Sequence, residues 1–495
     1  MSEGRNTSVP DLAAKLVGAV VNVEHPTVIA LEGLTVTYAT GEVALRDVNL
    51  RVQEGEFVLI TGVSGCGKTT LARCLNGLIP HLVSARVEGR IEVAGLNPLE
   101  CEVREMAAHV GMVFQVPETQ LFNLTVEEEV AFGCRNLGLP PDAAARRTDF
   151  ALAAVGIEGL RRRALHQLSG GEKQLTAIAS VLAMQPRIMI LDEPLSNLDA
   201  RSVQRVMNVL THLNRAMGMT LIVIEHRTHQ VSEFVDRVVV MERGRLVLDG
   251  NPQILREQAP VLTSLGVRVP GACEGCSAPF RPSATESGEV VVSVHDVRFA
   301  YRTRSVLDGV SLDVRRGEFL ALVGDSGAGK TTLAHLIAGV LKPASGVIRV
   351  NGHAHGEHRV GLLLQNPAEQ LFCDKVEEEV RFGPENFGWQ QDGLIEEVLE
   401  RTNLQGLRDR EVHTLSRGQQ QRLSLASVLA LKPEVLILDE PTLGQDWGSL
   451  TRFMDFVKDL QAKGTTVILI THDHDIAARY ADRIVCLREG RLVAQ

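Results

Sequence analysis

The chain has 495 residues, enough for two domains that each bury a core of their own. Its 51 lysines and arginines against 61 aspartates and glutamates give a net charge of −10, which argues against a basic nucleic-acid binder. No apolar run is long and charge-free enough to span a bilayer, no basic-then-apolar signal pattern opens the chain, and the cysteines are scattered apart from Cys273-Glu-Gly-Cys276, as in a reduced protein with incidental thiols.

In chain order, a tail of residues 1–27 precedes a first domain expected over 28–253. The apolar run EFVLI reads as a strand, GVSGCGKTT from Gly62 to Thr70 as a loop, and TLARCLNGL as the helix it opens. This is a complete G-x-x-x-x-G-K-[ST] phosphate loop. Gly62, Gly65 and Gly67 let the backbone curl so that its N–H groups, with those of Ser64, Thr69 and Thr70, face phosphate oxygens. The helix adds its positive end, Lys68 reaches the terminal phosphates and Thr69 is suited to Mg²⁺. GRIEV suggests an antiparallel element. Further on come VFQVPETQLFNLTVEEEVAFG (Val113–Gly133), HQLSGGEKQ (His166–Gln174), IMILDEP (Ile188–Pro194) and LIVIEH ending at His226.

Residues 254–289, rich in Pro, Gly, Ser and Ala over their later part, read as a linker. The second domain, expected over 290–495, repeats the first in the same order. GDSGAGKTT (Gly324–Thr332) supplies Gly324, Ser326, Gly327, Gly329, Lys330, Thr331 and Thr332. GVIRV, LLQNPAEQLFCDKVEEEVRFG (Leu363–Gly383), HTLSRGQQQ (His413–Gln421), VLILDEP (Val435–Pro441) and VILITH ending at His472 follow. Apolar strands alternating with helical runs indicate an α/β fold with a mostly parallel sheet covered on both faces. The stretch His353-Ala-His355-Gly-Glu-His358 sits between strands and reads as a surface turn rather than a metal site.

A phosphate loop, an LSGG element before a helix and an apolar strand ending in Asp-Glu together resemble the ABC-transporter ATPase family, twice over and across nearly the whole chain. The resemblance implies two tandem P-loop NTPase domains, each with an antiparallel β element and a helical subdomain, using ATP and Mg²⁺. It implies metal binding by Asp192 and Asp439 beside Thr69 and Thr331, and water polarisation by Glu193 and Glu440. Gln115 and Gln365 match the Q-loop glutamines, which touch metal or water. His226 and His472 match the switch histidine, and Asp199 and Asp446 the D-loop aspartate. Tyr38 and Tyr301 resemble the family's adenine-stacking aromatic, with core packing as the alternative.

In this family two halves pack head to tail. Ser416 and Gly418 are thus expected to close over the site of Lys68, and Ser169, Gly170 and Gly171 over that of Lys330. LSRGQ departs from the pattern, because Arg417 stands where the family has glycine, so the two sites are expected to differ in rate.

The paired QLF elements, Gln120-Leu121-Phe122 and Gln370-Leu371-Phe372, resemble those of energy-coupling-factor (ECF) transporters, importers of vitamins and transition-metal ions. That resemblance implies a peripheral protein on the cytoplasmic face of the cell membrane. Its partners would be an integral coupling subunit and a separate substrate-binding membrane subunit, with no nucleic acid. The EEEV run after each QLF, taken alone, reads as a solvated helix start. The alternatives fit less well. A translation-factor-type ATPase should show a long charged linker and basic patches. A fused monosaccharide importer usually has a degenerate second loop, and a DNA-repair ATPase should carry zinc modules.

Overall fold

The computed structural model describes residues 25–196, 198–269, 288–302, 304–325, 327–354, 360–389, 393–441 and 447–493. Cys273, Cys276, His355, His358, Ser326 and Asp446 lie outside these residues, as does the side chain of Arg417.

In the first half the strands are β1 (Thr27–Tyr38), β2 (Val43–Gln53), β3 (Phe57–Gly62), β4 (Ala85–Val93), β5 (Val110–Val113), β6 (Ile188–Asp192), β7 (Thr220–Ile224), β8 (Arg237–Glu242) and β9 (Arg245–Gly250). They form two sheets, an antiparallel β2-β1-β4 and a six-stranded β5-β6-β7-β3-β8-β9. The larger sheet is parallel except for the β8–β9 hairpin. GRIEV falls in β4, so the expected antiparallel element is present.

Strand β3 is buried along its whole length, and its alternate residues face different cores. Phe57 and Leu59 pack with the helix Gly170–Ala183, whereas Val58 and Ile60 pack toward β1 and β2. Each such side chain taken fully out of water contributes about 1.5–3 kcal/mol, which is why a strand apolar on both faces settles at the centre of the sheet. β3 lies between β7 and β8. The phosphate loop therefore leaves the sheet's carboxyl edge beside the ends of β6 and β7, where open α/β sheets form their ligand crevice.

The second half repeats the plan. Val290–Tyr301, Arg304–Arg315, Ser345–Val350 and His353–Ala354 make an antiparallel sheet. A six-stranded sheet runs in the spatial order Val360–Leu363, Val435–Asp439, Thr466–Ile470, Phe319–Val323, Arg483–Arg488, Arg491–Val493. His353 lies in the last short antiparallel strand. A separate core of Val376, Val380, Leu394, Val398, Leu415 and Leu423 holds this half's helical subdomain together.

The stretch read as linker differs in its first part. Ile254–Glu257 and Ala259–Ser264 are helical, and Leu255, Leu262, Val267 and Val269 are buried in the first half's core. Runs of 4 and 6 residues are too short to show helical periodicity, so composition dominated the reading. Among the described residues no helix is long and apolar enough to cross a membrane.

Candidate nucleotide sites

Gly62 and Gly67 fix the shape of the first loop. At φ +145°, a Cβ on Gly62 would sit 2.1 Å from the Met241 carbonyl oxygen of β8. At φ +106°, one on Gly67 would sit 2.6 Å from the Ala44 carbonyl oxygen of β2. Only glycine lets the loop pass this close to its neighbours. The helix that follows begins at Lys68, whose Nζ donates to the carbonyls of Gly62 and Val63 at 2.9 Å each. The ammonium is thus held inside the loop it serves. A cavity of about 300 Å³ opens here, lined by Tyr38, Lys68, Thr69, Gln115, Glu193 and His226 among others.

The ends of β6 and β7 bring the remaining groups to this cavity. Thr69 Oγ1 donates to Asp192 Oδ2 at 2.9 Å. Glu193 receives Gln115 Nε2 on one oxygen at 2.6 Å, and its other oxygen lies 2.7 Å from His226 Nε2. Burial alone would raise the Glu193 carboxyl. The hydrogen bond and charge of His226, with Lys68 and Gln115, outweigh it and hold the group below the usual carboxylate range. Asp192 is pushed up, chiefly by burial. Tyr38 donates to or accepts from Thr70 Oγ1 at 2.9 Å, and packs against the core while lining the cavity.

The second loop forms the same constellation. Lys330 Nζ donates to the carbonyls of Gly324 at 2.7 Å and Asp325 at 3.1 Å. Burial raises the Asp439 carboxyl to about 6, against the lowering influence of the Thr331 hydroxyl. Asp439 Oδ1 has no hydrogen-bond partner among the described residues. Here the histidine presents its other nitrogen: His472 Nδ1 lies 2.9 Å from Glu440 Oε2, and Lys330 Nζ lies 3.9 Å from Glu440 Oε1. Tyr301, Gly327, Gly329, Thr332 and Gln365 line this cavity of about 430 Å³. Tyr301 is exposed at its rim and meets Phe299 edge-on at 4.9 Å.

The structure thus gathers the loop, Asp-Glu, glutamine, histidine and tyrosine expectations at each site. It does not bring in the LSGG-type residues. Among the described residues, neither loop cavity is lined by a signature residue of the other half. Ser169 and Ser416 instead begin helices as capping boxes, Ser169 with Glu172 and Ser416 with Gln419. Gly170 and Gly171 follow in the first turn of one helix, and Gly418 follows Arg417 in the other. Asp199 caps the helix Ala200–Arg215 through Ser202 N.

Beside each glutamine the QLF turn stands out from the surface. Phe122 and Phe372 are each 63% exposed. Each meets a second ring edge-on, Phe132 at 4.6 Å and Phe382 at 4.5 Å. Leu121 and Leu371 lean back on the cores. The EEEV run corrects the reading of a merely solvated helix start. Its third glutamates, Glu129 and Glu379, are 3% and 2% exposed. Glu129 Oε2 accepts from Phe122 N, Asn123 N and Asn123 Nδ2, and Glu379 Oε2 from Phe372 N and Cys373 N. These buried carboxylates set the turn that presents the phenylalanines.

Sequence reasoning also missed Glu225, which ends β7's apolar run one residue before His226. It is buried, and takes His226 N, Arg227 N and Leu195 N on its two oxygens. A charged residue closing an otherwise apolar strand was the available signal. The second half has Thr471 at that place, whose Oγ1 receives Asp473 N.

The ABC transporter family model matches residues 45–196 and 307–443. A Methanosarcina acetivorans protein named "Putative ABC transporter ATP-binding protein" is 42% identical over 520 residues, covering 94% of this chain and 85% of its own length. The Bacillus subtilis protein named "Putative HMP/thiamine import ATP-binding protein YkoD" is 34% identical over 495 residues, covering 94% and 90% respectively. Among solved structures, that of RNase-L Inhibitor is similar in fold, with a TM-score of 0.62 at 20% identity over 93% of this chain and 89% of that one. Two matched domains, and relatives aligned over almost the full length, show that the chain belongs to the ABC-transporter ATP-binding family and is an ATPase with two nucleotide-binding domains in one polypeptide.

Proposed function

We propose that this chain powers an importer of the energy-coupling-factor type, carrying a vitamin or a transition-metal ion through separate membrane subunits, from the cytoplasmic face of the cell membrane. One observation carries the reading. Both halves hold an exposed phenylalanine on a turn fixed by a buried glutamate, braced edge-on by a second ring from the following helix, shortly after the glutamine that lines the nucleotide cavity. In the first half the turn borders an apolar groove of about 430 Å³, where a partner's apolar side chains could seat. The Bacillus subtilis relative, named as an import protein for HMP or thiamine, supports a vitamin-class cargo.

In this reading Glu193 and Glu440 each take a proton from the attacking water, and His226 and His472 hold those carboxylates while facing the γ-phosphate. Among the described residues no three His, Cys, Asp or Glu side chains cluster as a metal cage. That suits Mg²⁺, which keeps waters and phosphate oxygens and asks the protein for only one or two carboxylates. The unpartnered buried oxygen of Asp439 fits such an ion as well. Thr69 and Asp192 with Gln115, and Thr331 and Asp439 with Gln365, would hold it. Bound there, Mg²⁺ would neutralise charge on the phosphates. The helix starts at Ser416–Gly418 and Ser169–Gly171 would close on the opposite sites, drawn by the anion between two positive surfaces.

Changing Leu121, Phe122, Leu371 and Phe372 together to polar residues is expected to abolish uptake of the transported nutrient while leaving ATP affinity within about threefold, since these side chains lie outside the phosphate loops. Uptake at the parent rate in that variant would remove the importer reading.

A further inference from the structure

The folded start of the inter-domain stretch touches both switch loops at once. Thr228, two residues after His226, donates its hydroxyl to the carbonyl oxygen of Arg268. The Arg268 side chain crosses to the second half, donating to Asp473 Oδ2 at 2.7 Å and Oδ1 at 3.1 Å, and also to Asp475. Asp473 follows His472 directly, and its Oδ1 caps the helix His474–Tyr480. The Arg268 guanidinium also stacks over the Trp447 ring at 4.7 Å. Two residues earlier, Gly448 N donates to Gly266 O at 3.3 Å.

Arg268 is only 8% exposed. A guanidinium buried between two carboxylates and an indole has one geometry available, because its planar fork satisfies the acids only when both bonds form together. Its main chain is anchored to one switch loop and its side chain to the other. Glu225 joins the same network, tying Leu195 N just after Glu193 to His226 and Arg227. A shift of the His226 loop must therefore move Arg268 or break the Thr228 hydrogen bond, and a shift of the His472 loop must move it or break a buried ion pair.

We propose that Arg268 is a positioning residue that couples the two nucleotide sites, transmitting movement of the His226 loop to the His472 loop. Coupling of this kind requires an element that both sites bias, and the strut from Thr228 through Arg268 to Asp473 is one. The inference rests on the assignment of both histidine loops to nucleotide sites.

Trp447 is the natural reporter, and Trp389→Phe makes it the only tryptophan, since the chain has 2. In the full chain carrying Trp389→Phe and Lys330→Ala, nucleotide binds at the first site alone. Titration with the non-hydrolysable analogue AMP-PNP and Mg²⁺ is expected to change Trp447 emission with the midpoint measured by calorimetry. Adding Arg268→Met should cut that change by at least about fivefold while AMP-PNP affinity stays within about threefold, because coupling is lost and binding is not. Asp473→Asn, which keeps the helix cap, should weaken the response from the other side and serves if Arg268→Met does not fold. An undiminished response in the folded variant, or a parent chain that binds AMP-PNP with no change in emission, would overturn the coupling. A parent chain that binds no AMP-PNP at all would overturn the nucleotide assignment and the coupling with it.

Discussion

Replacing both Glu193 and Glu440 by glutamine is expected to stop steady-state ATP hydrolysis while leaving ATP bound and the two halves held together. Each carboxylate is buried beside a histidine and a lysine, and Glu193 lies below the usual carboxylate range, so it is ionised and ready to accept a proton. Glutamine preserves shape and one accepting oxygen but takes no proton from water. A positioned general base contributes about 10²–10⁴-fold, and the double variant should lose on that order of rate in a phosphate-release assay. Turnover at the parent rate would show that another group takes the proton.

Gly62→Ala and Gly324→Ala should abolish nucleotide binding at their own sites and lower the stability of the half concerned. A Cβ at Gly62 would sit 2.1 Å from Met241 O, and one at Gly324 2.2 Å from Leu487 O. Both neighbours are backbone atoms of strands paired with the loop-bearing strand, so neither can swing aside as a side chain would. Forced contact in a packed interior and a strained positive φ each cost on the order of 1–3 kcal/mol. Calorimetric titration with ATP, together with thermal melting, checks this. A variant that binds with parental affinity would show that the loop tolerates a wider path than its geometry implies.

Much of each site was legible because its chemistry depends on local backbone shape. A loop of glycines followed by Lys-Thr has one use between a strand and a helix, and Asp192 and Asp439 fall at strand ends because apolar runs stop there. What the sequence concealed depends on tertiary distance. Glu129 and Glu379 look like any acid in a first helical turn until the chain folds the QLF backbone over them. Arg268 lies in a stretch whose composition says linker, and its two carboxylate partners are more than 200 residues away. Glu193 and Glu440 take φ of +47° and +48°, a conformation rare for glutamate, and local preference alone would not place them there. The signature serines show the opposite case. Their pattern suggests closing residues, and the structure shows each capping its helix.

The central claim is that the exposed phenylalanine faces meet a membrane protein, and photo-crosslinking tests it most directly. A benzophenone amino acid placed at Phe122 in the full chain, irradiated in intact cells, should capture an integral membrane protein. The same residue placed at exposed Val247, in β9 at the opposite edge of the sheet from β5, should not. Capture of ribosomal or other soluble proteins at Phe122, with no membrane protein among the products, would contradict the account.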